Sequence, residues 1–149
     1  MVAPAYVVPL SVIVVVTGSI LTGCSTPVAV QAPALTSQCE PILAAAPIRV
    51  LGELQRETAP SDAAALAWGD PPIVLVCGVD VAIAPDAQVL EVNGVAWVAQ
   101  ESADGTIFST VESDPAVQIR VPATYRPEAD VLTELNAAIS AGTRASDMS

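Results

Sequence analysis

The chain has 149 residues, a formal net charge of -11 at pH 7, no histidine, and five basic side chains, all of them Arg. No two Arg are adjacent, so there is no cationic cluster to displace counterions from phosphates, and a nucleic-acid partner is excluded. Without His there is no Ser-His, Cys-His or His-metal arrangement, and the length leaves room for one small domain.

The first charged side chain is Glu40; everything before it is neutral. From Val2 to Leu21 the chain reads VAPAYVVPLSVIVVVTGSIL, an apolar run followed at once by Thr22-Gly23-Cys24. Leu21-Thr22-Gly23-Cys24 resembles the bacterial lipobox, in which a branched apolar residue and two small residues precede a Cys that receives diacylglycerol before cleavage. Small residues suit a peptide lying extended in a narrow protease cleft. The resemblance makes Cys24 the expected lipidation site and places the chain on the outer face of the cell membrane. The alternatives are an uncleaved helix, since about 20 apolar residues just span a bilayer, or plain secretion. All three export the rest of the chain. Ser25 to Ser37 carries two prolines and no charge, and reads as a flexible tether.

Cys39 and Cys77 are left as an even pair, and in an oxidising compartment an even pair is read as a disulfide. A reactive or metal-bound thiol has no C-x-x-C, His or Lys to support it. Pro41 suits the first turn of a short helix that Pro47 stops. Residues 48–67 have mixed character: Glu53, Arg56 and Glu57 lie at helical spacing while Gly52 and Pro60 argue for turns, and no element is assigned. Trp68-Gly69-Asp70-Pro71-Pro72 is a rigid turn by composition. It opens onto Ile73–Cys77, a continuous apolar run expected to be the central strand.

Asn93-Gly94 between two alternating apolar runs is a hairpin signal, because both residues tolerate positive φ. Asp104-Gly105 marks the next turn, and Thr106–Val111 and Val117–Val121 are further strands. Val131, Leu132, Leu135, Ala138 and Ile139 form one apolar helix face, with Gly142 as its stop. The expected fold is α+β: a small, mostly antiparallel sheet of four or five strands covered by a C-terminal helix, with a short N-terminal helix tied on by the disulfide. The expected divisions are a lipoprotein signal peptide over 1–23, lipidated Cys24 and tether over 24–38, the exported domain over 39–141, and a disordered tail over 142–149.

Cys39, Ala67 to Pro72, Cys77-Gly78-Val79, Asn93-Gly94-Val95 with Trp97, and a final strand before the C-terminal helix resemble the actinobacterial envelope proteins of domain-of-unknown-function family 3515. Phe108 and Thr110 match the aromatic-plus-Thr strand that the resemblance implies. Where it implies a basic residue near the next turn, Glu112-Ser113-Asp114 stand instead. The resemblance bears on location and fold rather than on chemistry.

Trp68, Asp70, Trp97 and Arg120 are the residues expected at a ligand site, polar groups beside an aromatic floor. The competing readings are core packing for the two indoles and a turn cap for Asp70. Glu112 with Asp114 and Glu101 with Asp104 lack the spacing of a calcium loop. No metal or cofactor is expected. The expected function is non-catalytic: an envelope lipoprotein held by its lipid and binding a protein or envelope component. The rival is a cell-wall glycan hydrolase using Asp70 with Glu91 or Glu101, which would need carboxyls about 5 to 10 Å apart.

Overall fold

Ile73–Cys77 is five apolar residues with no polar alternation, so both faces of that strand require cover. The computed structural model, which describes residues 25–147, supplies it from two sources. The apolar segment 2–21 and Cys24 lie outside the described residues, and so do Met148 and Ser149.

In chain order the elements are β1 (Val28–Ala29), α1 (Glu40–Ala45), β2 (Arg49–Val50), β3 (Glu53–Arg56), β4 (Thr58–Ala59), β5 (Ala65–Trp68), β6 (Ile73–Cys77), β7 (Val89–Val92), β8 (Val95–Ser102), β9 (Gly105–Thr110), β10 (Val117–Pro122) and α2 (Asp130–Asp147). Eight strands form one antiparallel sheet in the order β2-β3-β5-β6-β10-β9-β8-β7, and β1 pairs with β4 in parallel. The sheet is wider than the four or five strands expected. The added strands come from residues 48–67, where Leu51 and Gly52 adopt positive φ and turn β2 into β3. The helical spacing of Glu53, Arg56 and Glu57 is a coincidence of a strand with little apolar patterning of its own.

Strand β6 is central, between β5 and β10. Ile73, Leu75 and Cys77 point to the larger core with Trp68, Trp97, Phe108, Val117, Ile119 and Val121. The expected helix face closes that core: Val131, Leu132, Leu135 and Ile139 are fully buried in it, as is Ile42 of α1. Val76 faces the other way, in a smaller cluster with Ala63 and Ala65.

The smaller cluster is packed against Val30 and Ala32, which belong to the segment expected to be a free tether. That expectation is corrected: residues 25–35 lie along the domain. Val28 N–H donates to Glu57 O at 2.7 Å, Val30 N–H to Ala59 O at 3.0 Å, Leu35 N–H to Asp62 O at 2.8 Å, and Ala64 N–H to Pro33 O at 2.8 Å. The physical reason is the second apolar face of β6, against which Val30 and Ala32 of this stretch pack together with Val79.

Cys39 and Cys77 form the disulfide, with both residues fully buried and 38 positions apart in sequence. It ties the start of α1 to the end of β6. Closing a loop of that length restricts the unfolded chain by about 4 kcal/mol in the chain-entropy account.

Gly142 does not stop the C-terminal helix as expected. Helix α2 passes through it to Asp147, so residues 142–147 are helix rather than tail. Gly142 is there for contact: a Cβ at this position would run into Ile42 Cγ1 and lie 2.6 Å from its Cδ1. The two helices therefore cross where α2 has no side chain. Gly142→Ala gains about 1 kcal/mol in helix propensity but forces a methyl into a filled site, at a cost of about 1–3 kcal/mol. The expected result in urea unfolding is a net loss of stability that reverses to a gain in an Ile42→Ala background. A stabilising Gly142→Ala in the native background would contradict this packing.

Candidate functional site

The Trp68-Gly69-Asp70-Pro71-Pro72 turn joins β5 to β6 at one end of the sheet. Gly69 has φ +73°, and a Cβ there would sit 2.5 Å from Tyr125 Oη and 2.8 Å from Glu53 Cγ, so only glycine fits. Tyr125, which follows β10, donates its hydroxyl to Pro71 O at 2.8 Å. Trp68 Nε1 donates to Pro47 O at 2.9 Å, which fixes the other side of the turn.

Arg56 organises this end. Its guanidinium donates from Nη1 to Gly69 O at 3.0 Å and from Nη2 to Thr26 O at 2.9 Å. One side chain thus joins β3, the turn and the start of the described chain. Arg56 Nη1 is also 4.0 Å from Asp70 Oδ1, but the Asp70 side chain is 88% exposed, so this ion pair is screened and contributes little. A shallow recess of about 650 Å³ lies here, between Ser25, Thr26, Glu53, Leu54, Arg56 and Asp70.

The four residues expected at a site are not brought together. Trp68 and Trp97 are both fully buried in the larger core and offer no face to a ligand. Asp70 stands on the exposed turn. Arg120 pairs across the sheet with Val74 and Ile107, on the face opposite the indoles, where it donates to Gln118 Oε1 at 3.3 and 3.4 Å. Core packing accounts for the tryptophans, and Arg56, Thr26 and Tyr125 are the neighbours of Asp70 that sequence reasoning missed. The missed signal is weak by nature, because Arg56 and Tyr125 donate to backbone carbonyls, which no side-chain pattern reveals.

A second recess, of about 530 Å³, opens at the other end of the sheet beside the disulfide. Gly78, Val79 and Thr110 line it with the carboxylates of Asp80, Glu112 and Asp114. Gly78 has φ +75° and lies against Cys39, with its Cβ position 3.4 Å from Sγ. Thr110 is buried, and its hydroxyl accepts from Val117 N–H at 2.9 Å. No Arg lines this recess among the described residues, so it disfavours anions. Also among the described residues, no group of three or more His, Cys, Asp or Glu side chains could hold a metal ion.

Carboxylate pairing is equally limited. Three strand spacings separate β6 from β8, and one more separates β8 from β5, or about 14 to 19 Å across the sheet. Asp70, between β5 and β6, is thus distant from Glu101 on β8 and farther still from Glu91 on β7.

These features define a class: an antiparallel-sheet domain closed by a buried disulfide, with helices on one face and its own N-terminal segment on the other. The chain belongs to the DUF3515 family, described as a protein of unknown function, whose model matches residues 4–148. No curated protein and no solved structure matches it.

Tyr125 gives the turn a pH signature. Burial raises its phenol above the usual value, and the negative charge of Glu53 raises it further. A group whose pKa is higher in the folded chain contributes stability that is fully present below the unfolded value of about 10 and is lost as pH rises through the folded value. Tyr125→Phe should cost about 1 kcal/mol at neutral pH through its lost hydrogen bond. The gap between the two proteins in urea unfolding should shrink above about pH 10; a gap constant from pH 8 to 12 would contradict the assignment.

Proposed function

We propose that this protein is a non-catalytic envelope lipoprotein, held outside the cytoplasmic membrane by lipid on Cys24, that binds a protein or envelope component. The observation that carries the reading is the buried Cys39–Cys77 disulfide, because such bonds persist in oxidising compartments and are rare in the cytosol. The apolar run ending in Leu21-Thr22-Gly23-Cys24 supports the same location. Among the described residues no helix is long and apolar enough to cross a membrane. The glycan hydrolase has less support: Asp70 is an exposed turn residue, and the sheet holds its proposed partner carboxylates several strands away.

Intact mass of the protein isolated from bacterial membranes, before and after reduction and alkylation, tests this directly. The expected product begins at an acylated Cys24 and takes up alkylating agent at Cys39 and Cys77 only after reduction. A chain that retains Met1, or whose Cys39 and Cys77 alkylate without reduction, would overturn the reading.

A further inference from the structure

The start of the described chain is fastened to the domain, and this determines how an anchored molecule would sit. Thr26 O is held by Arg56 Nη2, and Val28 N–H is bonded to Glu57 O. From Cys24 to Thr26 is two residues, or about 7 Å at full extension. A free 13-residue tether in extended form would reach about 40 Å. The lipid-headgroup layer of one leaflet is about 5 to 8 Å deep. The clamp therefore lies no farther from the acylated residue than the headgroup layer is thick.

We propose that the Arg56–Gly69 end of the domain is a membrane-contact surface, seated in the headgroup layer, and that the recess beside the disulfide faces away from the membrane. The proposal rests on acylation at Cys24. One further feature of the domain fits this orientation. Leu54, beside Ser25 in the recess, is 52% exposed, and Ile48, whose carbonyl accepts from Gln55 N–H next to Leu54, is 71% exposed. Exposed branched side chains at the end nearest the lipid can bury apolar area in the interface. The occupant of the contact surface is the lipid headgroup layer itself.

The test uses the full acylated protein in nanodiscs containing a small fraction of lipid with a gadolinium-chelating headgroup. Relaxation is read at the methyl groups of Ile48 and Leu54 and compared with those of Val79 and Ile83. Strand β6 alone separates the two ends by about 14 Å, and paramagnetic relaxation falls with the sixth power of distance. Ile48 and Leu54 should relax at least about tenfold faster for that reason. Equal enhancement at both ends, or a larger effect at Ile83, would overturn the orientation. A second protein with ten Gly-Ser residues inserted between Ser25 and Thr26 leaves the fold untouched and should lose the contrast; a retained contrast would show that the clamp does not set it. The intact mass of the same sample separates the two claims. An acylated chain without the contrast defeats the orientation alone, whereas an unacylated chain defeats the lipoprotein reading and the orientation with it.

Discussion

Strand β6 carries apolar side chains on both faces, and that is the constraint from which the rest of the fold follows. Ile73, Leu75 and Cys77 on one side and Val74 and Val76 on the other cannot all be covered by one layer. Burying an aliphatic side chain of this size is worth about 1.5–3 kcal/mol relative to exposure, and a small domain has only about 5–15 kcal/mol of net stability. Leaving one face bare would therefore remove a decisive share. The helices close the first face, and residues 28–32 close the second. A segment that looks like spare linker is thus part of the folded unit.

The disulfide and the Arg56 network secure opposite ends of the same sheet. At one end Cys77 is joined to the start of α1; at the other, Arg56 joins β3, the Gly69 carbonyl and Thr26. Between them the N-terminal segment runs from the Gly69 turn past β4 to Cys39, so both of its ends are tied. The two ends of the sheet are lined differently. Arg56 with Glu53, Asp70 and the exposed Leu54 marks one, and a recess with Asp80, Glu112 and Asp114 but no Arg marks the other.

Much of this was legible in the sequence where local chemistry decided the outcome. Asn93-Gly94 turns a hairpin with both residues at positive φ, Ile73–Cys77 is the central strand, the face from Val131 to Ile139 is buried, and the two cysteines pair. The family resemblance, which rested on Cys39, Ala67 to Pro72, Cys77-Gly78-Val79, Asn93-Gly94-Val95 and Trp97, holds over nearly the whole chain. Outcomes set by long-range packing were not legible. Gly142 has the signature of a helix stop, but its role depends on Ile42, a hundred residues away in the chain. Pro27, Pro33 and the small residues between them have the composition of a tether, and only the uncovered side of β6 decides otherwise. The expected site failed for a related reason. Trp68 ends a strand pointing into the core, whereas Asp70, two residues on, is already in the turn and points to water, so adjacency in sequence became separation in space.

Hydrogen exchange of the Val28, Val30, Leu35 and Ala64 amides would test most directly whether the N-terminal segment is part of the folded domain. All four are donors in the bonds that hold residues 25–35 against β4 and β5. They should exchange much more slowly than free peptide, with protection lost in the same unfolding event as that of β6. Exchange of Val28, Val30 and Leu35 at the rate of free peptide, beside a protected β6, would contradict it.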